Sequence, residues 1–187
     1  VMSSYREVFA LQHTWTLVLA SFPARLAYGM VGLGIFFKVQ RETNSVAFAG
    51  LALGLNSIGG SLTAGYRGYL IDKYGQSWPL RIFVPSYAAM ILVLNMSESK
   101  NVLLIMATIM GVSAPPINLS VRPLWKDIVP PTYLRTAYAF DSAMMSSTSV
   151  VGPVVVTALA LSSRPYLALD VTAALMLTGG IALALTP

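Results

Sequence analysis

The sequence contains no cysteine and only one histidine, His13. Without cysteine the chain can form neither a disulfide bond nor a thiolate metal site, and a single histidine excludes a multi-histidine metal cluster. No phosphate-binding loop of the nucleotide-hydrolase type is present, so direct use of ATP by this chain is not expected. We therefore expect neither a metal nor a cofactor.

Charged residues are also scarce, because only 10% of the 187 residues are charged while 56% are hydrophobic. A typical soluble domain has about 25% charged residues, so this chain has too few to cover a surface in water. A lipid bilayer is the solvent that suits it. The net charge of +5 is spread through short loops and forms no continuous basic patch, so no nucleic-acid partner is expected.

Six apolar segments are long enough to span a membrane, which takes about 20 residues each. They predict an all-α membrane protein in which residues 1–187 form a single six-helix bundle. The loops between them are short and polar, and the first segment is too long for the apolar region of a cleavable signal peptide. The predicted helices are 14–37, 46–66, 79–96, 102–121, 137–161 and 166–186.

Lysine and arginine in short loops predict the orientation, since they favour the cytoplasmic side. With the N-terminus inside, seven such residues lie inside and four outside, and an even number of helices returns the C-terminus to the cytoplasm. The inside residues are Arg6, Arg67, Lys73, Arg81, Arg122, Lys126 and Arg135, and the outside residues are Lys38, Arg41, Lys100 and Arg164.

Helix-breaking residues recur at corresponding places in the first and fourth predicted helices. Irregular backbone at membrane depth is tolerated only inside protein or beside a water-filled cavity. Matching interruptions in two repeats point to a transporter binding site. We therefore expect two three-helix repeats, each with an interrupted first helix. The residues are Pro23, Gly29, Gly32 and Gly34 in the first helix, and Gly111, Pro115 and Pro116 in the fourth.

The second predicted helix carries small residues at helical spacing, which we call the small-residue stripe. Such a stripe allows a neighbouring helix to approach closely, so we expect another helix to pack against it. Its members are Gly50, Gly54, Ser57, Ser61 and Gly65.

The predicted loop at 67–78 contains Gly68, Asp72, Lys73 and Gly75. The order is a glycine, three residues, an aspartate, a basic residue, one residue and a glycine, and it resembles the signature of the major facilitator superfamily in the same loop. The resemblance implies that these four residues form a conformational-switch loop. Independently of it, Gly68 and Gly75 would permit a tight turn.

A second resemblance to this superfamily lies at Gly152-Pro153 in the fifth predicted helix. Exporters of the family often have a glycine-proline pair there, although Val154 and Val155 stand where the fuller pattern has glycines, so the direction of transport stays open. The stretch 135–142 looks like bacterial members, which implies a bacterial inner (plasma) membrane.

Together these motifs imply a secondary active transporter that moves a small solute by alternating access. Members of the family consist of two six-helix halves, so the chain resembles the amino-terminal half. The second half would belong to the same longer chain or to a second copy in a homodimer. The end of the sequence at the sixth helix favours a truncated chain.

Four residues are candidates for solute binding or coupling. Arg25 lies mid-helix, where a charge costs about 2.5–3.5 kcal/mol on insertion scales, and Tyr28 shares its face. Arg25 would bind an anionic group, adjoin a proton-carrying carboxylate, form a structural ion pair, or donate hydrogen bonds to broken backbone. Asn118 would contact solute or satisfy carbonyls freed by the prolines. Asp141 looks peripheral. It would be a proton carrier, a partner of an arginine at 122 or 135, or an interfacial residue in the first turn of its helix, where the helix dipole favours an anion.

Protons are thus a candidate coupling ion, and an electroneutral exchanger or a uniporter stays open. The alternative function is a non-transporting membrane scaffold or assembly protein, which would need neither broken helices nor Arg25. We expect no enzyme, because no clustered catalytic set is visible. Arg25→Ala is expected to abolish transport while leaving insertion intact.

Overall fold

The computed structural model describes residues 2–185, which are almost entirely α-helical. Their elements are α1 (Met2–Ala10), α2 (Gln12–Thr43), α3 (Val46–Tyr74), α4 (Ser77–Met96), α5 (Lys100–Val112), α6 (Ile117–Ile128), a 3-10 turn (Pro131–Tyr133), α7 (Leu134–Ala160) and α8 (Leu167–Ala184).

The six predicted spans are confirmed as six helical segments long and apolar enough to cross a bilayer. Helices α2, α3, α4, α7 and α8 form one span each, and α5 and α6 together form the fourth, Lys100–Ile128. Thr186, the last residue of the sixth predicted helix, lies outside the described residues. The short helix α1 was not predicted; the Glu7 carboxylate accepts a hydrogen bond from the hydroxyl of Tyr133, which ties α1 to the loop before α7.

Helix α3 continues beyond the predicted end at residue 66, so the predicted loop at 67–78 is wrong in extent. The chain turns only at Gly75 and Gln76, and Gly75 has a φ of 73°, in the left-handed region that favours glycine. Gly68 is helical and makes no turn. A helix of 29 residues is about 43 Å long, which exceeds the bilayer core of about 30 Å. The last residues of α3 therefore extend past the hydrocarbon core, where polar side chains are tolerated within the helix.

The prediction of two interrupted helices is half right. The fourth span is broken between Val112 and Ile117, where Pro115 and Pro116 supply no backbone N–H. The first span is continuous through Pro23. Its glycines allow close packing instead: a Cβ on Gly29 would lie 3.0 Å from the Thr148 carbonyl oxygen of α7.

Helix α2 lies at the centre of the bundle, with its most extensive contacts to α8 and α7 and further contacts to α3 and α6. Half of its apolar span is buried within the chain, whereas only 17% of the span in α3 is. The core of the bundle therefore surrounds α2, and α3 lies at its edge.

The prediction that another helix packs against the small-residue stripe is wrong for the described chain. Gly50, Gly54 and Gly65 have no atom within 4 Å of where a Cβ would stand, so no helix of the described chain packs on them. Helix α3 contacts α5 through another face, where a Cβ on Gly111 would overlap the carbonyl of Asn56. The close approach exists, but the glycines of the stripe face no neighbouring helix of residues 2–185: Gly50 and Gly65 are exposed, and Gly54 is half-buried.

Candidate functional site

The break in the fourth span exposes backbone carbonyls, and side chains of α3 bind them. In a continuous helix the Val112 carbonyl would accept from the N–H of residue 116, which is a proline. It accepts instead from the hydroxyl of Thr63, at 3.0 Å. The Ala114 carbonyl accepts from Nη1 of Arg67, at 2.6 Å. Asn118 was predicted as one candidate for this task, but the structure assigns it to Thr63 and Arg67.

Arg67 is a buried residue of the span and not part of a loop, which corrects its place in the orientation count. It is 6% exposed, and its Nη2 donates to the Gly60 carbonyl at 2.6 Å. Its Nε is buried without a hydrogen-bond acceptor, and among residues 2–185 it forms no ion pair. Sequence reasoning missed it because the apolar run ends one residue earlier. Its helical spacing from Gly60 and Thr63 was the available signal.

Arg67 lines a cavity of about 440 Å³ between α2, α3, α4 and α5, which we call the Arg67 cavity. A second cavity of about 210 Å³ shares Arg67 and Tyr28 with it and reaches the first residues of α6. Backbone amides at the start of a helix favour negative charge. The polar side chains of the Arg67 cavity are Tyr28, Asn56, Ser57, Ser61, Arg67 and Tyr87.

Arg25 forms a buried network that joins α2, α6 and α7. Its Nη1 and Nη2 donate to the two carboxylate oxygens of Asp141, at 2.8 and 3.2 Å. Its Nε donates to Oδ1 of Asn118 at 3.1 Å, and the Trp125 Nε1 donates to Asp141 at 3.0 Å. Arg25 and Asp141 are 3% and 2% exposed, so each charge is neutralised by the other in a dry setting.

This network corrects two expectations about Asp141. The residue is central and not peripheral, and its partner is Arg25, while Arg122 and Arg135 lie exposed elsewhere. Of the candidate residues, Arg25, Asn118 and Asp141 are thus brought together. Tyr28, which is 38% exposed, lines the Arg67 cavity and shares the smaller cavity with Asn118, a member of this network.

The residues of the predicted switch loop lie at the far end of α3. Asp72, Lys73 and Gly75 are exposed, and the Lys73 ammonium lies over the rings of Tyr69 and Tyr74, at 5.7 and 5.1 Å from their centroids. These contacts leave Asp72 and Lys73 accessible on one surface of the bundle.

The glycine-proline pair of the fifth predicted helix lies inside α7. A Cβ on Gly152 would stand 3.0 Å from the backbone carbon of Gly29 in α2, so the two helices cross glycine on glycine. Pro153 follows within the helix. Arg25 and Asp141 lie on the same two helices as this crossing. The close contact of Gly29 with Gly152 sets the distance between α2 and α7, on which the pairing of Arg25 with Asp141 depends.

Comparison with known proteins gives a consistent result. A family model described as Major Facilitator Superfamily matches residues 17–187. The chain is 27% identical over 155 residues to the uncharacterized MFS-type transporter y4rN of Sinorhizobium fredii. That alignment covers 80% of this chain but 38% of the relative, so the chain spans less than half of the relative's length. No solved structure matches.

Proposed function

Because the chain belongs to the major facilitator superfamily and is an integral membrane protein, we propose that it is one half of a secondary active transporter. It moves a small solute across the membrane by alternating access. The observation that carries this proposal is the Arg67 cavity, a polar cavity beside a broken membrane span. Broken helices at membrane depth are typical of solute sites in transporters.

Tyr28 is the candidate residue placed to contact the solute, since it lines both cavities. Arg25, Asn118 and Asp141 belong to the coupling role. Their network joins α2 to α6 and α7, so a change in it shifts these helices relative to one another. Asp141 is the buried carboxylate of the network and the candidate carrier if protons drive transport. Protonation would weaken its pairing with Arg25.

A second six-helix half completes the transporter, either in the same longer chain or as a second copy. The chain's limited share of its relative supports this, and so does the exposed small-residue stripe of α3. Exposed glycines on a spanning helix allow close contact with a further helix. The second half packs on this surface and closes the Arg67 cavity from the open side.

Gly68, Asp72, Lys73 and Gly75 act as the conformational-switch segment. The exposed Asp72 and Lys73 are accessible to the second half, and the turn at Gly75 makes α3 and α4 move together. Gly152 and Pro153 set the α2–α7 crossing, and the resemblance to exporters makes export the proposed direction. The protein lies in a bacterial inner membrane with both termini in the cytoplasm.

Alternating access is testable without knowledge of the solute. The chain has no cysteine of its own, so Ser61→Cys can place a single thiol in the Arg67 cavity of the full-length protein, freed of other cysteines. We expect a membrane-impermeant maleimide to label it in both right-side-out and inverted vesicles. Labelling from one side alone, under all conditions, would favour a non-transporting scaffold.

Two exposed loop positions provide matched controls. Thr132→Cys lies between α6 and α7, and Ser163→Cys lies between α7 and α8. Each should be labelled from one side only, and from opposite sides, with Thr132→Cys reacting from the cytoplasm. The same pair therefore tests the proposed orientation of the termini.

A further inference from the structure

The charges within the spans are not balanced around the Arg67 cavity. Arg25 has a carboxylate partner, Asp141, at 2.8 Å. Arg67 is as well buried, yet in the described chain it contacts neutral carbonyls of Gly60 and Ala114 and no carboxylate. A positive charge in a low-dielectric setting is costly unless it is paired. Because no carboxylate of the described chain pairs with Arg67, the cavity has a net positive charge.

The start of α6 adds to this potential. The smaller cavity is bounded by Arg67 and by residues 115–119, where α6 begins. Pro115 and Pro116 have no N–H, and the Ile117 N–H donates to the Pro115 carbonyl at 2.9 Å. The attraction for an anion at this helix start therefore comes from the N–H groups of Asn118 and Leu119 and from the helix dipole. The buried Nε of Arg67, which has no acceptor among residues 2–185, is an independent sign that the guanidinium is incompletely satisfied.

Besides the neutral polar groups of Asn56, Ser57 and Ser61, the Arg67 cavity has an apolar and aromatic wall that includes Val31, Leu53 and the buried Tyr87. Such a wall suits a compact organic body and not a bare, strongly hydrated ion. A volume of about 440 Å³ is within the range of small-molecule sites, about 300–1,000 Å³.

We propose that the Arg67 cavity binds a small organic anion, a carboxylate or a phosphomonoester. Its charged group pairs with Arg67 near the start of α6, and its body lies against Leu53 and Tyr87. This inference rests on the proposed transport function and names its solute class. It assigns anion recognition to Arg67 and not to Arg25, whose charge Asp141 already neutralises.

The test uses the purified full-length protein and its thermal unfolding midpoint, titrated with benzoate, phenyl phosphate, inorganic phosphate and benzamide. Benzamide has nearly the shape of benzoate without its charge. We expect concentration-dependent stabilisation by benzoate or phenyl phosphate and none by benzamide. Stabilisation by inorganic phosphate alone would overturn the organic class, and no stabilisation by any anion would overturn the proposal.

Three variants locate the site. Arg67→Gln should weaken binding of the anion at least about tenfold, because the charged hydrogen bonds between the guanidinium and the anion are lost. Arg67→Lys should retain part of the binding. The exposed Arg122, over the ring of Tyr138, provides the control Arg122→Gln, which should bind as the parent does. An unchanged anion response in Arg67→Gln would reduce Arg67 to a structural cap on the broken span.

A variant that keeps Arg67 covers the case in which Arg67→Gln does not fold. Ala64 lines both cavities one turn before Arg67, so Ala64→Asp supplies an internal counter-ion. It should abolish anion stabilisation, and retained binding would contradict the proposal. Two-sided labelling without anion binding would refute this inference alone, whereas anion binding with one-sided labelling would refute the transport function alone.

Discussion

Arg25 and Arg67 are both buried within spanning helices but differ in their surroundings. Arg25 binds Asp141 through two parallel hydrogen bonds, a geometry that suits the planar guanidinium. In the described part of the chain, Arg67 donates to the carbonyls of Ala114 and Gly60 and to no carboxylate. The first arrangement favours a structural or coupling role, and the second leaves charge for a ligand.

The Arg25–Asp141 pair gives a prediction at this scale. Arg25→Met and Asp141→Asn should each destabilise the protein by about 3–5 kcal/mol or its equivalent in unfolding midpoint, because each leaves a buried group without its partner. The double variant should recover much of the loss. Thermal unfolding of the four proteins in mild detergent measures this cycle, and additive losses would mean that the two residues do not depend on each other.

The same cycle separates stability from transport. Loss of transport in the stable double variant would assign the pair a coupling role, and retained transport would leave it a structural one. The expectation that Arg25→Ala leaves insertion intact is thereby sharpened, since insertion and stability are measured separately.

Single residues were only partly predictable. Arg25 was recognisable because a charge inside an apolar run is visible in sequence. Its partner was not, since Asp141 lies 116 positions away and only the crossing of α2 and α7 brings the two together. Arg67 was misplaced because hydropathy marks where an apolar run ends and not where the helix ends.

At the scale of elements, the broken fourth span positions the site. Proline and glycine at 111–116 end α5, and side chains of α3 then bind the freed carbonyls of Val112 and Ala114. A break of this kind can rearrange with little loss of backbone hydrogen bonding, because its partners are side chains. The break was predictable from two adjacent prolines, whereas the continuity of α2 through Pro23 depends on its packing against neighbours.

Two glycines of this region form a matched pair for mutation. Gly111→Ala should lower the free energy of unfolding by about 1–3 kcal/mol, because its Cβ would overlap the Asn56 carbonyl. Gly54→Ala should be tolerated, because nothing lies within 4 Å of its Cβ position. Thermal unfolding in detergent compares them, and equal losses would contradict the assigned α3–α5 contact.

At the scale of the whole molecule, the six spans and the bundle follow from hydropathy, since the apolar runs are long and the loops short. Hydropathy did not predict which face of α3 contacts the neighbouring helices. Two faces of that helix carry glycine, and only the packing shows that Gly59 contacts α5 while the small-residue stripe stays exposed. The stripe is then the surface on which we expect the second half.

A large side chain placed on the stripe can test whether the second half packs there. In the full-length protein, Gly54→Phe should block the two-sided labelling at Ser61→Cys by holding the halves apart, while the unfolding midpoint stays close to that of Gly54→Ala. Labelling identical to the parent would mean that this position faces lipid. Gly54→Ala serves as the control for any effect of losing the glycine itself.

The ion pair between α2 and α7 also governs how the protein is made. Arg25 is synthesised 116 residues before Asp141, which at about 5–20 residues per second corresponds to a delay of about 6–23 s. Asn118, its other acceptor, follows 93 residues after it. During this interval the nascent first span contains a charge whose insertion costs about 2.5–3.5 kcal/mol. The ribosome-bound intermediate should therefore keep α2 near water or the insertion machinery, and its final seating in the lipid waits for the arrival of α7.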